Sequence, residues 1–459
     1  MDKDREEVFK AIKDKGVEFV AFQFTDVLGK LYALWVRASE IETGLREGIG
    51  ISGYPYFTGH QNSDLLLKPD LNSFKMLPWS NNGRNVAAVM CDIYPADKME
   101  ELAEAPRSLL KAAVKKLKME VENNVNLYVG PECEFHLIEK AEGGKLRLHG
   151  RGSYFSPPPT DLAFELRGEI CHALDQMGIK VLKHHHESLR GKHEIDIEYD
   201  KALDMADKVQ FNKMVLRKLA RDRGLIATFM PKPFNVPGGA GWHTHISLMD
   251  EKKGENLFYS AEGKYNVSDL GLHFIAGVLK HAKALTAISN ISVNSYKRLV
   301  PGYQAPIYIS WAKSNRSTLI RIPIAPSAGT RFEYRSTDGL CNYYLFFAAL
   351  IYAGLDGIAT RESPPQPIEE NVYALTTEEK IKRGIEKLPG SLGEALEELK
   401  KDEVIKSALE PVTSKFIKLK SEEWEEYSNR VHEWERQKYL EEHFTRYGDF
   451  LETGEKLLV

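Results

Sequence analysis

The chain has 459 residues, of which 62 are lysine or arginine and 66 are aspartate or glutamate, so its formal net charge is −4. This near balance of charge argues against a nucleic-acid-binding surface and against polybasic attachment to a membrane. With 42% hydrophobic and 28% charged residues, the composition excludes global disorder and is that of a globular protein.

Nothing at the N-terminus or along the chain predicts export or membrane insertion. Residues 1–16 are charged throughout and lack the apolar centre of a signal peptide. The most apolar stretch, 345–355, reaches Asp356 well before the roughly 20 residues that a membrane span needs. The cysteines form no CxxC pair, which indicates reduced thiols. We therefore expect a cytoplasmic protein.

The first part of the chain predicts a strand-rich domain that follows one short helix. Residues 17–24 and 31–36 are typical of a β-hairpin, and 86–94 of a further strand. Pro106 suits the first turn of a helix and follows a short linker, which places a boundary near residue 105. The predicted domains are 1–105 and 106–459.

Beyond this boundary, strand patterns alternate with helix patterns, without a repeat. We expect extended segments at 125–138, 181–199 and 319–336, and helices at 107–122, 167–177, 208–223 and 270–289. From 375 to 459, amphipathic spacing with many glutamates and lysines predicts a helical C-terminal region. We interpret that region as a cap or an assembly surface.

The most informative local pattern is GPECEF at 130–135. Residues two apart on a strand point to the same face, so Glu132 and Glu134 bring two carboxylates together. Like charges this close are costly unless a cation neutralises them, and a hard divalent ion bound by oxygen atoms is the natural solution. A solvated strand face is the alternative for this pair taken alone.

A second acidic pair lies in the run HHHESLRGKHEID at 184–196. Its apolar surroundings suggest strands, so Glu187 and Glu194 would flank a tight loop through Gly191. In GGAGWHTH at 238–245, the glycines allow backbone to approach a ligand closely, and His243 and His245 share a strand face. Taken alone, a buried structural pair of histidines is equally compatible with that run.

Arginines gather downstream, at Arg298, Arg316, Arg321, Arg331 and Arg335. Converging guanidinium groups predict recognition of carboxylate or phosphate. Carboxylates for metal and arginines for anions, without an obvious nucleophile, indicate phosphoryl chemistry, in which the protein positions groups and neutralises charge. No GxxxxGK[ST] sequence occurs, which excludes a P-loop site.

Taken together, these motifs resemble glutamine synthetase of the bacterial and archaeal type. The matching stretches, in the family's order over essentially the whole chain, are 63–64 with 68–70, 130–135, 154–155, 184–187 with 193–194, 228–233, 241–247, 294–303, 315–323 and 332–335. The resemblance implies an α+β fold, with a small N-terminal β-grasp-like domain and a large catalytic domain built on a curved antiparallel sheet flanked by helices. It also implies a dodecamer of two hexameric rings, with active sites between neighbouring subunits.

The resemblance further implies a ligand for each motif, with glutamate, ATP and an amine as substrates and two or three Mg²⁺ or Mn²⁺ ions per site. One metal would take Glu134, Glu187 and Glu194, and the other Glu132, His243 and Glu333. The substrate would contact Gly239, His243, Arg298 and Arg335. ATP would contact Tyr199, His245, Ser247, Arg316 and Arg321. We assign catalytic roles to Arg298, Arg316, Gln304 and Tyr154.

In the family, ATP phosphorylates the γ-carboxylate of glutamate, and an amine then displaces phosphate. Two departures fall on that second step. Gln304 stands where the family has an acid on a flap, and an amide cannot accept the amine's proton. The loop 50–63 contains no acid, with Ser52 or Gly53 near the place of the family's ammonium-binding aspartate.

Loss of both carboxylates weakens ammonium recognition by several kcal/mol, on the order of a broken buried ion pair. Tyr54, Tyr56 and Phe57 offer instead an aromatic cluster suited to an organic body. We therefore expect a ligase that joins glutamate to a larger primary amine, with His60 or Tyr154 assisting deprotonation. The alternatives are aromatics that only seal a subunit interface, an ordinary glutamine synthetase with a compensating residue, and a catalytically silent structural or regulatory relative.

Overall fold

The computed structural model describes residues 5–53, 64–302 and 305–439. Its strands form two sheets and its helices pack around them, which gives the predicted α+β class. The expectations for Tyr54, Tyr56, Phe57, His60 and Gln304 lie outside the described residues.

The N-terminal sheet is built around the strand Val17–Thr25, in which Val20, Ala21 and Phe22 are fully buried. The elements of this region are α1 Arg5–Asp14, β1 Val17–Thr25, β2 Leu31–Arg37, α2 Ile41–Arg46, β3 Ile49–Ser52, β4 Asp64–Pro69, β5 Lys75–Asn81 and β6 Arg84–Pro95. Strands β1 and β2 pair antiparallel, which confirms the predicted hairpin. The described strand order is β2-β1-β6-β4-β3, with β5 also on β6 and the β1–β6 pair parallel.

The large sheet is organised by one long strand, β7. Its strands are β7 Val125–Lys140, β8 Leu146–Leu148, β9 Val181–His186, β10 Lys192–Ile197, β11 Asp200–Lys201, β12 Ile226–Thr228, β13 Thr244–Asp250, β14 Glu255–Asn256, β15 Trp311–Lys313, β16 Ile320–Ile322 and β17 Phe332–Tyr334. The main order among described strands is β15-β16-β17-β13-β7-β10-β9, antiparallel except for the parallel pair β15–β16.

The helices lie around this sheet and in the C-terminal region. They are α3 Pro106–Glu120, α4 Phe164–Gln176, α5 Ala202–Asp222, α6 Asp269–Lys280, α7 Ala282–Ser289, α8 Ser295–Arg298, α9 Tyr343–Thr360, α10 Thr377–Lys382, α11 Leu392–Lys401, α12 Glu403–Ala408, α13 Val412–Asn429 and α14 Glu433–Tyr439. The single helix predicted at 270–289 is wrong in one respect, because it divides into α6 and α7 at His281. That imidazole contacts Asp356 and Asp402, which holds the junction between the two helices.

Helix α9 forms the centre of the helical packing. Asn342 caps it by accepting a hydrogen bond from the amide of Tyr344. By length and composition it is the one described helix that could cross a membrane, but 72% of it is buried inside the protein. Its hydrophobicity is therefore accounted for by burial, as in the core helix of a globular protein.

Candidate active site

Strand register places carboxylates on one face of the large sheet. Strand β7 pairs with β13 along its first half and with β10 from Glu132 onward. Across β7 and β10, Glu194 lies opposite Glu134, and Asp196 lies opposite Glu132. Directly opposed residues share a face of the sheet, so four acids meet where β7 changes its neighbour.

Glu132, His243 and Glu333 come together as one possible cation group. One ligand atom from each lies within 4.8 Å of the others. His243 Nδ1 lies 2.9 Å from Glu132 Oε2 and 3.6 Å from Glu333 Oε1. Burial and the charge of Arg335 lower the pKa of His243 to about 4, so its imidazole is neutral, the form that binds metal. Two carboxylates and one imidazole fit a divalent cation such as Mg²⁺ or Mn²⁺.

The other expected metal set is arranged differently. Glu187 and Glu194 gather with His185, whereas Glu134 faces Lys192. Lys192 Nζ lies 2.9 Å from Glu134 Oε2 and 3.5 Å from Glu187 Oε2, and the residue is 4% exposed. The structure therefore places an ammonium group between two of the three expected ligands.

The acids of this face hold unequal charge. Burial, together with the nearby Glu194 and Glu187, raises the pKa of Glu134 to about 7 despite the opposing effect of Lys192. Burial and the charges of Glu194 and Glu132 raise the pKa of Asp196 to about 8. For Glu187, the cost of burial is outweighed by His185 and Lys192, which lower its pKa to about 2. Burial is the largest cause of the raised pKa values of Glu134 and Asp196, and their acidic neighbours add to it.

A cavity of about 940 Å³ opens beside these acids, a size suited to small-molecule ligands. Arginine side chains on its wall suit an anionic ligand. The expected site residues that line it are Tyr154, Gly239, His243, Arg298, Arg316 and Arg335, together with Glu134 and Glu187. Residues that lie in separate motifs of the sequence therefore share one cavity.

Arg298 is fixed in this wall by backbone oxygens. It is 3% exposed and donates to the carbonyls of Ser336 at 2.6 Å and Arg335 at 3.2 Å. A Cβ atom at Gly241 would lie 2.3 Å from Arg298 Nη2, so only glycine allows this approach. Gly241, in the glycine-rich run 238–245, thus allows the Arg298 side chain to pack against the backbone.

Two of the residues expected to contact ATP, His245 and Ser247, lie on β13, which begins beside the cation group. His245 Nε2 lies 3.1 Å from Glu132 Oε1, and Arg331 Nε donates to His245 Nδ1 at 3.2 Å. Ser247 follows on the same face of β13, opposite Tyr128, whose ring meets that of Tyr199 edge-on at 6.0 Å.

Arg321 lies opposite Glu333 in β16 and β17 and donates a hydrogen bond to its carboxylate, as does Arg335. Arg321 is thereby held beside the cation group. The expected contacts of these residues with ATP remain predictions.

Three charged or imidazole residues beside the expected ligands received no role from the sequence: His185, Lys192 and Asp196. All lie in the run 184–196, so the signal was present as a dense cluster of charged and imidazole groups. Tyr154, which was expected, is 51% exposed at the rim of the cavity, stacked on Phe155 at 3.9 Å.

Comparison with known proteins identifies the family of this chain. The family profile "Glutamine synthetase, beta-Grasp domain" matches residues 16–96, and "Glutamine synthetase, catalytic domain" matches residues 103–439. These matches confirm the expected β-grasp-like domain and catalytic fold.

Similar curated proteins include a glutamine synthetase of Methanocaldococcus jannaschii, 42% identical over 96% of this chain and 99% of that protein. One of Thermotoga maritima is 43% identical over 95% of this chain and 99% of that protein.

Among solved structures, a GmaS–ADP complex superimposes with a TM-score of 0.85 at 32% identity and covers 94% of this chain and 99% of its own. Glutamine synthetase of Plasmodium falciparum gives a TM-score of 0.83 at 26% identity and covers 95% and 99%.

Proposed function

Since this chain belongs to the glutamine synthetase family, we propose that it joins the γ-carboxylate of glutamate to an organic primary amine, using ATP and a divalent cation. The enzyme class, an ATP-dependent carboxylate–amine ligase, follows from the family. The choice of amine is the part that this proposal adds.

The activation step is supported by the side chains around the cavity. Glu132, His243 and Glu333 would hold a cation, which when bound supplies charge neutralisation for phosphate oxygens. Arg316 and Arg335 would bind anionic groups of the substrates on the cavity wall. In this step the γ-phosphoryl group passes from ATP to the glutamate carboxylate, which gives an acyl phosphate and ADP.

The preference for an organic amine rests on the second step, in which the amine attacks the acyl phosphate. Among the described residues of the cavity wall, no carboxylate without a lysine partner is available to bind ammonium in that step. Among the described residues that line the cavity, the acids are Glu134 and Glu187, and both contact Lys192. Gln304 is an amide, and the loop 50–63 has no acid. A small ammonium ion therefore lacks the carboxylates that would attract it, whereas an organic amine gains contacts from its apolar body.

Tyr154 lies at the rim where the amine would enter. Burial and the charge of Glu187 raise the pKa of Tyr154, so its phenol stays protonated. It would position the amine by a hydrogen bond, and His60 remains the candidate proton acceptor. A dodecamer in which the loop 50–63 completes the neighbour's pocket belongs to the same proposal.

Ordinary glutamine synthesis is the second candidate, because the curated relatives at 42–43% identity carry the name glutamine synthetase. It predicts that ammonia is the preferred nitrogen donor. In that case, a group outside the described residues would bind ammonium and accept its proton in place of the missing acids.

The deciding assay measures phosphate release with glutamate, ATP and Mg²⁺ across ammonia and a panel of primary amines. We expect at least one organic amine to exceed ammonia in kcat/KM by about tenfold, a difference near 1.4 kcal/mol. Gln304→Glu should raise turnover of ammonia, because a carboxylate can accept its proton. Glu333→Gln is the control that should lower turnover of every nitrogen donor.

Ammonia outperforming every organic amine would overturn the proposal in favour of glutamine synthesis. No turnover with any nitrogen donor, combined with no ATP binding by calorimetry, would instead identify a silent relative.

A further inference from the structure

Lys192 lies between two of the three side chains expected to hold one of the two metal ions. Its ammonium group lies within 3.5 Å of carboxylate oxygens of Glu134 and Glu187, two of the three expected ligands. The lysine is buried inside the site and lines the substrate cavity, so it is not a surface side chain that happens to reach inward. A lysine side chain is itself a cation with three donors and no acceptor.

We propose that the Lys192 ammonium group takes the place of one of the two expected cations, so that the centre holds a divalent ion at Glu132, His243 and Glu333 and a fixed ammonium between Glu134 and Glu187. This inference rests on the proposed function, because it assumes that the cavity holds anionic substrates. According to this inference, one divalent ion and one ammonium group, rather than two divalent ions, neutralise the negative charge of the substrates.

The hydrogen bonds of the two carboxylates support this assignment. Glu134 accepts from the backbone amide of Gly241 as well as from Lys192. Glu187 Oε2 accepts from the amide of Ser188 at 2.7 Å, and its Oε1 lies 3.3 Å from His185 Nε2. One oxygen of Glu134 and both oxygens of Glu187 thus already have partners within the protein.

A second lysine near these acids, Lys183, differs from Lys192 because it is exposed to solvent. Lys183 Nζ lies 2.6 Å from Asp196 and 3.2 Å from Glu194, but its side chain is 58% exposed. An exposed ammonium leaves such a pair at little cost, because water replaces the carboxylate. Lys192 is only 4% exposed, so a metal entering between Glu134 and Glu187 would separate its ammonium group from the two carboxylates that neutralise it.

With two of its protons directed at the glutamates, Lys192 retains one N–H for the cavity that it lines. The chemistry that this donor recognises is a carboxylate or phosphoryl oxygen, which lysine binds as a point charge. Lys192 would therefore contact the same acidic groups that a second divalent ion would contact in its place.

The test counts Mn²⁺ ions bound per chain in the full-length protein by equilibrium dialysis, with free Mn²⁺ followed by electron paramagnetic resonance. Neither nucleotide, glutamate nor amine is added, so the count stands whether or not the amine proposal holds. We expect Lys192→Gln to bind one ion more per chain than the wild type, and Lys192→Arg to bind the same number as the wild type. Lys183→Gln is the matched control, and its count should equal that of the wild type.

Glu333→Gln should lose the ion that the wild type binds, which assigns that ion to the Glu132 group. Equal counts for the wild type and Lys192→Gln would overturn the inference. A second measurement uses only the wild type, in case Lys192→Gln does not fold: a crystal soaked in Mn²⁺ should show anomalous density beside His243 and none between Glu134 and Glu187. Anomalous density between Glu134 and Glu187 would also overturn the inference. That outcome would not affect the proposal that the enzyme uses an organic amine.

Discussion

His281 shows how a single titratable residue fixes a junction far from the catalytic cavity. Its Nδ1 lies 2.7 Å from Asp402 Oδ2, and its Nε2 lies 3.0 Å from Asp356 Oδ2. Burial alone would lower the pKa of His281, but hydrogen bonds with both aspartates raise it above its usual value of 6.5. The imidazolium therefore holds the α6–α7 junction to α9 and to the start of α12.

A raised pKa in the folded state gives a stabilisation that is complete below about pH 6.5, the unfolded value, and is lost as pH rises through the folded value. We expect His281→Asn to lower the free energy of unfolding by about 1.5–3 kcal/mol at pH 6, since bonds to charged groups are lost. The loss should be clearly smaller at pH 9. Urea unfolding at both pH values measures it.

His172→Asn is the control, because His172 is exposed on α4. Its effect should be small at both pH values. A loss in His281→Asn that does not depend on pH would show that the imidazole contributes by packing alone.

At the scale of elements, helices α6 and α9 cross at glycines with their backbones in contact. A Cβ atom at Gly277 would lie 2.0 Å from the carbonyl oxygen of Ala353, and one at Gly357 would lie 2.1 Å from that of His273. Backbone atoms cannot yield as a flexible side chain can. The crossing distance therefore depends on glycine at both positions.

Gly357→Ala should destabilise the protein by about 1–3 kcal/mol, because the added methyl group forces the two helices apart. The midpoint of urea unfolding measures the change. Gly168→Ala is the matched control on α4: nothing lies within 4 Å of its added Cβ. That substitution should be neutral or stabilising, by up to about 1 kcal/mol. Equal midpoints for Gly357→Ala and the wild type would contradict the expected clash.

At the scale of the whole molecule, Arg107 on α3 connects the N-terminal sheet to helix α5. Its guanidinium lies 2.6 Å from Asp70 and 2.5 Å from Asp92, at the N-terminal sheet, and 2.9 Å from Asp207 on α5. The arginine side chain is 6% exposed, so this network is shielded from water. It ties the N-terminal sheet to the helices behind the catalytic sheet.

Arg107→Met should lower the free energy of unfolding by about 3–5 kcal/mol, because the buried Asp207 and the partly buried Asp70 and Asp92 lose their common partner. Arg84→Met is the control: Arg84 pairs with Glu18 at the surface, with its own side chain 68% exposed. Its loss should be below about 1 kcal/mol. Denaturant unfolding compares the two variants, and a similar small effect for both would show that Arg107 is not the connection.

Local patterns of the sequence determined much of the site. The β1–β2 hairpin, the strand β7 and the pairing of Glu132 with Glu134 follow from spacing along single segments, whereas the full set of cation ligands followed from the family resemblance. The shared cavity of Tyr154, Arg298 and Arg335 followed from the family resemblance, since those residues are far apart in the chain.

Only the tertiary structure decided which charges meet. Strands β7 and β10 pair in a register that brings Glu194 opposite Glu134. In this register the buried Lys192, two residues before Glu194, contacts Glu134 and Glu187. Pairing between strands is fixed by the packing of the whole sheet, and spacing along one strand does not encode it. The sequence therefore determined the kinds of group that the site contains, whereas the fold determined which group neutralises which.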